Sequence, residues 1–463
     1  MSDKAYEDIF SAFEEISSNF KRNNQYFDIL YDSTSTVRIT KSRTAETISI
    51  NADKTGIVAR TFIGFWKEIG LQEDSSLKNL QNLDKKLPKV TNMGAEIAEF
   101  EEWKINKEIK PKIDPSTIPI DEKIQKIRDI FNYVRNFDER IINPVISYAE
   151  NLTTRIFVNN EGCQLRQVLP RTRLFIQPVV KEGSIVDFDY YSVGGQTGYE
   201  IVDELFNDNI DQIIQNSLDM LKAVPPPSGK YPIILDPDMA GLVAHESFGH
   251  GLEADQVLRD RSYLKEHFNK KVASDICVIC DTPNYDKQLG SCFFDDEGIR
   301  AGKNILVEGG ILKNFIYDRR SGSILDSKPK GNGRRESFAH PLLVRMTNTY
   351  FESGNYKLEE MISEIKNGVM LVHGYFGMED PLGGGMQCTS KKGYLIENGQ
   401  KTKLLKAITL SGPVLELLKN IDAISKSPTE LRPGMCGKGE EDFVPVSSGG
   451  SAIRVKNALI SPG

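Results

Sequence analysis

The chain has 463 residues, of which 27% are charged and 39% are hydrophobic, and its formal net charge is −7. These proportions are ordinary for a globular protein of two or three domains. The acidic balance argues against direct binding of DNA or RNA, which requires basic patches. The sequence shows neither a signal peptide nor an apolar run of about 20 residues, so we expect a cytoplasmic protein that does not span a membrane.

The first elements are a helix and a group of strands. Residues 6–20 repeat apolar side chains at helical spacing, and residues 27–65 alternate between polar and apolar side chains. The polar run 51–56 predicts a turn between two antiparallel strands. The apolar helix positions are Ile9, Phe10, Phe13 and Ile16. Residues 1–70 are therefore predicted to be an α+β region in which a helix packs on a mixed sheet.

A more charged part of the chain follows. Residues 71–137 combine charged side chains with helical patterns, and prolines interrupt residues 107–120. We interpret 71–137 as a charged helical segment or insertion with a solvated surface. Residues 138–224 predict a central region of strands followed by helix.

The clearest boundary signal is the run Pro-Pro-Pro-Ser-Gly at residues 225–229. A short apolar strand, a turn at residues 236–238 and a helix come after it. The remainder is rich in glycine and in hairpin patterns. Residues 230–463 are therefore predicted to be a β-rich domain that carries this helix, and the chain as a whole to be α+β.

The segment LVAHESFGHGLEAD, residues 242–255, resembles the zinc-protease helix signature H-E-x-x-H, with one residue too many. His245 and His250 are five residues apart, and on a regular helix they diverge by about 140°. A π-bulge would bring them onto one face. A break of the helix at Gly249 would do the same, because glycine tolerates unusual dihedral angles.

Acidic residues surround this histidine pair. Glu246 stands where zinc hydrolases place a general base, which removes a proton from the attacking water. Glu253 or Asp255 could accept a hydrogen bond from a histidine ring and fix its tautomer.

The spacing leaves the third metal ligand open among His, Asp, Glu and Cys. Cys277 and Cys280 form a C-x-x-C, but their run is typical of a buried strand, where residues three apart face opposite sides. Cys436 lies between glycines that allow a tight loop. The other three cysteines, Cys163, Cys292 and Cys388, have no obvious ligand context, and six cysteines in a chain of this length fit a reducing compartment.

Five segments together resemble the motif blocks of the TldD/PmbA family of metallopeptidases, in particular its TldD-type, metal-bearing subunit. They are HESFGHGLEAD, FFDDEGIRAGKNILVEGGILKNFIYD, GNGRRESFAH followed by RMTNTY, YLIENGQ and PGMCGKGEEDFVPVSSGGSAIRV. The resemblance implies that residues 230–463 form a catalytic metallopeptidase domain. It also implies zinc held by His245, His250 and Cys436, with Glu246 as the general base.

The same resemblance implies hydrolysis of unfolded or short peptides inside a dimer. The partner would be a second copy or a PmbA-type paralogue. Within the motif blocks, His340 is a candidate donor to the oxyanion. Arg334 and Arg335 are candidates for gripping a peptide carboxylate.

Two other functions stay open at this point. Two histidines, a cysteine and a glutamate also describe deformylase-type amidohydrolases, which act on formylated peptide N-termini. A regulatory peptide-binding subunit without hydrolytic activity is the second alternative.

Overall fold

The structure is a computed structural model that describes residues 3–21, 25–72, 86–88, 97–98, 102–208 and 210–463. Strand accounts for 46% and helix for 23%, which confirms the predicted α+β class. Among the helices of these residues, none has both the length and the apolar character needed to cross a bilayer.

One eight-stranded sheet contains strands from both the N-terminal and the central region. Its strands are β1 Phe27–Lys41, β2 Glu46–Phe62, β3 Trp66–Gln72, β4 Lys104–Glu108, β5 Ile141–Asn159, β6 Gln164–Glu182, β7 Ile185–Phe188 and β8 Tyr191–Gly195. The order is β3-β2-β1-β5-β6-β4, and β7 and β8 also pair with β6. Because β1 pairs antiparallel with β5, the regions 1–70 and 138–224 are joined by backbone hydrogen bonds. The domain boundaries stay a prediction.

The predicted turn at residues 51–56 is wrong. Those residues lie inside β2, and the chain reverses at residues 42–45, where the Ser42 amide donates to the Ala45 carbonyl at 2.8 Å. β1 and β2 remain paired through the polar run, with one register shift between Thr34 and Thr36. This part of β2 is exposed on both faces, so it has no core for alternating apolar residues to fill.

Helices cover this sheet through apolar faces of helical spacing. Helix Asp3–Lys21 buries Ile9, Phe13 and Ile16 against β1 and its neighbours. Helix Ile120–Phe137, predicted within the charged segment, is confirmed. It packs with helices Glu200–Asp208 and Ile210–Asp219 in a second cluster. Its buried apolar positions are Ile124, Ile127, Ile130 and Val134. Much of the rest of 71–103 lies outside the described residues.

The C-terminal region contains a closed sheet. Its strands are β9 Gly229–Leu235, β16 Asn367–Glu379, β17 Gly385–Glu397, β18 Gln400–Leu405, β19 Ile408–Pro413, β20 Ile421–Ile424 and β23 Ile453–Pro462. The order β16-β9-β23-β19-β17 closes because β16 also pairs with β17. Strands β18 and β20 lie outside this ring and pair with β17 and β23.

A six-stranded sheet packs beside the closed sheet, in the order β12-β11-β10-β15-β22-β21. Its strands are β10 Ile279–Asp281, β11 Asn304–Glu308, β12 Ile311–Leu312, β15 Asn348–Phe351, β21 Glu430–Lys438 and β22 Glu441–Gly450. A short pair, β13 Gly333–Arg334 and β14 Leu343–Val344, stands apart. The remaining short helices are Pro237–Leu242, Ala254–Leu258, Arg319–Ile324, Leu358–Ser363 and Val414–Lys419.

The helix after β9 runs between these two sheets. It starts at Pro237, and the Asp236 carboxylate caps it by accepting from the Met239 amide at 2.8 Å. A proline in the first turn and an aspartate cap are strong start signals for a helix. The helix packs against both β16 and β22, and the histidine segment that follows it lies in the core between the two sheets.

Candidate metal centre

The two histidines are brought together by a π-helical turn. Residues Val243–Gly249 adopt this wider turn, and residues His250–Leu252 continue as a 3₁₀ turn. The rings of His245 and His250 lie 5.3 Å apart between centroids, at 84° to each other. Of the two ways to accommodate the five-residue spacing, the structure shows the π-bulge.

Gly249 has a different role from the one that its flexibility suggested. Its φ of −62° and ψ of −44° are ordinary helical values. A Cβ at this position would lie 2.1 Å from Sδ of Met346. The glycine is therefore required because Met346 packs directly on the turn, and not because the helix breaks there.

Cys436 approaches the histidines from the other sheet. It lies on β21, the edge strand, and its Sγ is 3.5 Å from Nε2 of His250. One ligand atom from each of His245, His250 and Cys436 lies within 4.8 Å of the other two. Bonds of about 2.0–2.3 Å to a tetrahedral zinc ion separate ligands by roughly 3.3–3.8 Å, so a small contraction closes the site.

The charges of the three side chains favour metal binding. Burial alone would raise the pKa of Cys436, but the imidazoles of His245 and His250 hold it well below its usual value. Burial lowers the pKa of His245 and His250, but Cys436 and the neighbouring glutamates raise it, so the cluster holds protons between the sulfur and the rings that a bound metal would replace. Nδ1 of His245 is buried without a hydrogen-bond partner in the described part of the chain. Two imidazoles and a thiolate are a donor set that suits zinc.

A chain of charged groups supports His250 from behind. Its Nδ1 faces Oε2 of Glu253 at 3.4 Å, and Nζ of Lys438 lies 3.0 Å from the same carboxylate. Lys438 also contacts Asp255 at 2.8 Å. Burial opposes the charge of Glu253, but Lys438 and His250 outweigh this effect and lower its pKa to about 2. Of the two acceptors considered from sequence, Glu253 is the one in contact with the ring.

Glu246 lies on the open side of the cluster. Its Oε2 is 3.7 Å from Nε2 of His250, the nitrogen that faces Cys436. Its side chain is 30% exposed, whereas His245 is only 3% exposed. Glu246 can therefore reach a solvent molecule beside the ligand atoms.

The three candidate substrate residues have partners within the protein. Arg334 is buried, and its guanidinium donates to the carbonyls of Met346 and Pro445 at 2.7 Å. Arg335 is also buried and donates to the His340 carbonyl and to Glu68. These contacts engage both guanidinium groups in structural hydrogen bonds.

His340 lies in the loop that follows strand β13. Its Nδ1 faces the Ser337 hydroxyl at 2.9 Å, and it is not part of the metal cluster. Phe338 of this loop packs on the N-terminal sheet, where a Cβ at Gly56 would lie 2.1 Å from its ring. The substrate-binding roles of Arg334, Arg335 and His340 stay predictions.

The remaining cysteines do not join the site. Cys277 and Cys280 are free and fully buried, as expected, although only Cys280 lies in a strand. Cys388 is buried, and its sulfur lies 3.1 Å from the Ser247 hydroxyl. Within the described ranges, His245, His250 and Cys436 form the one group of three that fits a metal ion.

Glu379 is a residue of the site that no sequence pattern indicated. A Cβ at Gly251 would lie 3.0 Å from its Oε1, and Gly377 on the same face of β16 packs against Glu246. Neither carboxyl oxygen has a partner among the described residues. Burial raises the pKa of Glu379 to about 8, so it carries a proton at neutral pH. Only the β16–β17 hairpin brings it near the histidines.

Comparison with known proteins places the chain in a family. Models of the PmbA/TldA metallopeptidase central and C-terminal domains match residues 113–221 and 228–462. The chain belongs to the PmbA/TldD family of metallopeptidases. It is 34% identical over 350 residues to a metalloprotease of Methanothermobacter thermautotrophicus, with 75% of each chain covered. It is 31% identical to the zinc metalloprotease TldD homolog of Saccharolobus solfataricus, covering 73% of this PmbA/TldD chain and 76% of the relative.

Solved structures of the PmbA/TldD fold agree with the architecture. TldE from Thermococcus kodakarensis superposes with a TM-score of 0.73 at 18% identity, covering 97% of this chain and 100% of the other. A candidate modulator of DNA gyrase from Thermotoga maritima gives 0.78 at 19% identity, with 98% and 100% covered. At these identities the likeness shows the fold alone.

Proposed function

We propose that the protein is a zinc-dependent peptidase of the TldD type, with zinc held by His245, His250 and Cys436. The observation that carries the proposal is the convergence of these three side chains, from a π-helical turn and a distant edge strand, with Glu246 beside them. The names of the relatives as metalloproteases, one of them a zinc metalloprotease, support it.

Bound zinc would supply Lewis acidity, which polarises a peptide carbonyl and makes a nearby water easier to deprotonate. Glu246 accepts the proton of the attacking water and delivers it to the leaving amine. Glu253 holds His250 in the tautomer that leaves Nε2 free for the metal. The burial of His245 and Cys436 keeps bulk water away from the ligand atoms.

Unfolded or short peptides are the proposed substrates. β21 is the last strand of its sheet and carries Cys436, and β8 lies against part of it. An extended peptide that pairs with the remaining edge of β21 would lie beside the ligands. Such pairing uses backbone groups and reads little of the side chains. Broad sequence specificity follows as part of the proposal.

The subunit arrangement belongs to the same proposal: a dimer with a second copy or with a PmbA-type paralogue. The molar mass of the purified protein in solution tests it, and a monomer that cleaves peptides would contradict it.

The decisive experiment combines metal analysis with peptide cleavage. Wild-type protein is expected to hold one zinc ion and to cleave an unstructured polypeptide such as casein. Glu246→Gln should keep the zinc and lose cleavage by about 10²–10⁴-fold, the usual contribution of a general base. Cys436→Ser should lose zinc. Glu308→Gln, which changes an exposed glutamate, is the matched control and should behave as wild type.

Two results would contradict the proposal. Unchanged zinc in Cys436→Ser would remove the thiol from the ligand set. Activity confined to formyl-Met peptides, without casein cleavage, would assign the site to a deformylase instead.

A further inference from the structure

Arg345 lies directly behind the Cys436 ligand. It follows β14, its side chain is 0% exposed, and its guanidinium engages two groups. Nη2 donates to the carbonyl of Cys436 at 2.5 Å, and Nη1 donates to Oε2 of Glu441 at 2.5 Å. Glu441 is also fully buried and stands opposite Lys438 where β21 turns into β22. A buried ion pair therefore lies at the turn of the β21–β22 hairpin, whose first strand carries the Cys436 thiol.

The contacts of this guanidinium extend beyond a structural ion pair. A buried ion pair is weak support for stability, because desolvation of both groups offsets their attraction. Nε of Arg345 is buried and has no hydrogen-bond partner in the described part of the chain. Because Nη2 donates to the carbonyl of Cys436 itself, the cation lies next to the residue that carries the sulfur.

The neighbouring residue contacts the other half of the site. Met346 packs on Gly249 of the π-helical turn, where only the absence of a Cβ allows its sulfur to fit. Arg334 in turn donates to the Met346 carbonyl at 2.7 Å. Residues 345 and 346 therefore bridge the strand that carries Cys436 and the helical segment that carries the two histidines.

We propose that Arg345 is a positioning residue of the metal centre, which fixes the Cys436 backbone and places a permanent positive charge beside its sulfur. The inference rests on the proposed zinc site. A thiolate donates more charge to a metal than an imidazole does and weakens its Lewis acidity. A cation near the sulfur withdraws part of that charge, and the hydrogen bond from Nη1 to Glu441 keeps the guanidinium in place.

The test uses two readouts that do not depend on catalysis. The first is zinc affinity, measured by competition with a chromophoric chelator. The second is the sulfur-to-metal charge-transfer band of the cobalt-substituted protein, whose energy reports the electron density on the sulfur. Loss of a buried cation raises the energy of the sulfur lone pairs and moves the band to longer wavelength.

Arg345→Met is expected to lower zinc affinity by about 10–100-fold, the usual effect of losing an outer-shell partner. Its cobalt band should shift to longer wavelength. Arg345→Lys keeps the positive charge but cannot make both hydrogen bonds of the guanidinium. Its cobalt band should therefore stay near the wild-type position while its zinc affinity falls. Glu441→Gln frees the guanidinium from its anchor and should weaken affinity with a smaller band shift.

Arg60→Met is the matched control, because Arg60 is equally buried and pairs with Asp28 and Glu297. It should lose thermal stability and keep both metal readouts. If Arg345→Met does not fold, the zinc affinities and cobalt bands of Arg345→Lys and Glu441→Gln test the inference.

Wild-type affinity and band position in the folded Arg345 and Glu441 variants would overturn the inference and leave the zinc site intact. A wild-type protein without stoichiometric metal or without a sulfur-to-cobalt band would instead overturn the proposed function.

Discussion

His250 has a defined partner on each ring nitrogen. Nε2 faces the thiol of Cys436, and Nδ1 faces the carboxylate of Glu253. A carboxylate behind a ligand histidine fixes the tautomer and raises the basicity of the metal-facing nitrogen. Lys438, two residues after Cys436, holds that carboxylate and so ties the strand to the turn.

Replacement of Glu253 by Gln tests this chain of contacts. The amide keeps the shape of the side chain but removes the charge that orients His250, while Asp255 still pairs with Lys438. Zinc affinity should fall by about 10–100-fold, as measured by chelator competition.

The matched control is Glu352→Gln, whose carboxylate pairs with Lys303 near the surface. It should bind zinc as the wild type does. Equal affinity in both variants would show that Glu253 does not orient the ring.

At the scale of single residues, the sequence allowed a partial prediction of the site. The H-E-x-x-x-H spacing indicated His245, His250 and Glu246, but Cys436 entered through the family resemblance, because nothing local links it to residues far upstream. Arg345 opens RMTNTY, which is part of the family resemblance, but nothing in the sequence gave it a role, and Glu379 lies in no motif. Glu379 reaches the site through the β16–β17 hairpin, and Arg345 through its contacts with Cys436 and Glu441.

The π-helical turn is the element on which the centre depends. It converts a five-residue spacing into two rings on one side, and it does so with ordinary helical dihedrals at Gly249. The sequence indicated that such a distortion was needed. It could not identify Met346 as the reason for the glycine, because that contact comes from a different part of the chain.

The variant Gly249→Ala tests the packing of this turn. The added methyl group would overlap Sδ of Met346, and such overpacking costs about 1–3 kcal/mol of unfolding free energy. The double variant Gly249→Ala/Met346→Ala should be less destabilised than the sum of the two single variants, because the two side chains share one space.

Chemical denaturation of the four proteins measures this coupling. Gly302→Ala is the control, since a Cβ there meets only Lys330 at an ordinary 3.7 Å. Strictly additive effects would rule out a packing role for Gly249.

The elements that could be predicted were those whose apolar residues recur with a regular period. Helix Ile120–Phe137 was predicted because its apolar residues recur at intervals of three and four. The strand at residues 51–56 was mistaken for a turn, because β2 extends there as an exposed strand in which polar residues are tolerated. Local composition alone does not distinguish such a strand from a loop.

For the molecule as a whole, buried charges join the central region to the closed sheet. Asp189 is buried between β7 and β8, and it faces Nδ1 of His373 at 3.1 Å and Nζ of Lys392 at 2.5 Å. Burial opposes its charge, but these partners lower its pKa from 3.8 to about 2. A folded-state pKa below the unfolded value stabilises the protein above pH ~4, and the effect disappears as the pH falls through ~2.

Asp189→Asn should therefore lose about 2 kcal/mol of unfolding free energy at pH 7 and clearly less at pH 3. Denaturation at the two pH values measures the difference. Asp203→Asn, at a half-exposed aspartate, should stay within about 0.5 kcal/mol of the wild type at both. A deficit for Asp189→Asn that does not depend on pH would contradict the assigned pKa.

The order of the closed sheet has a consequence for synthesis. β9, which leads into the histidine turn, is flanked by β16 and β23, and both are translated much later. A nascent chain that has already exposed His245 and His250 from the ribosome therefore lacks both neighbours of β9, and the thiol as well. We therefore expect the proposed metal site to stay incomplete during synthesis and to form only after these late strands have paired with β9.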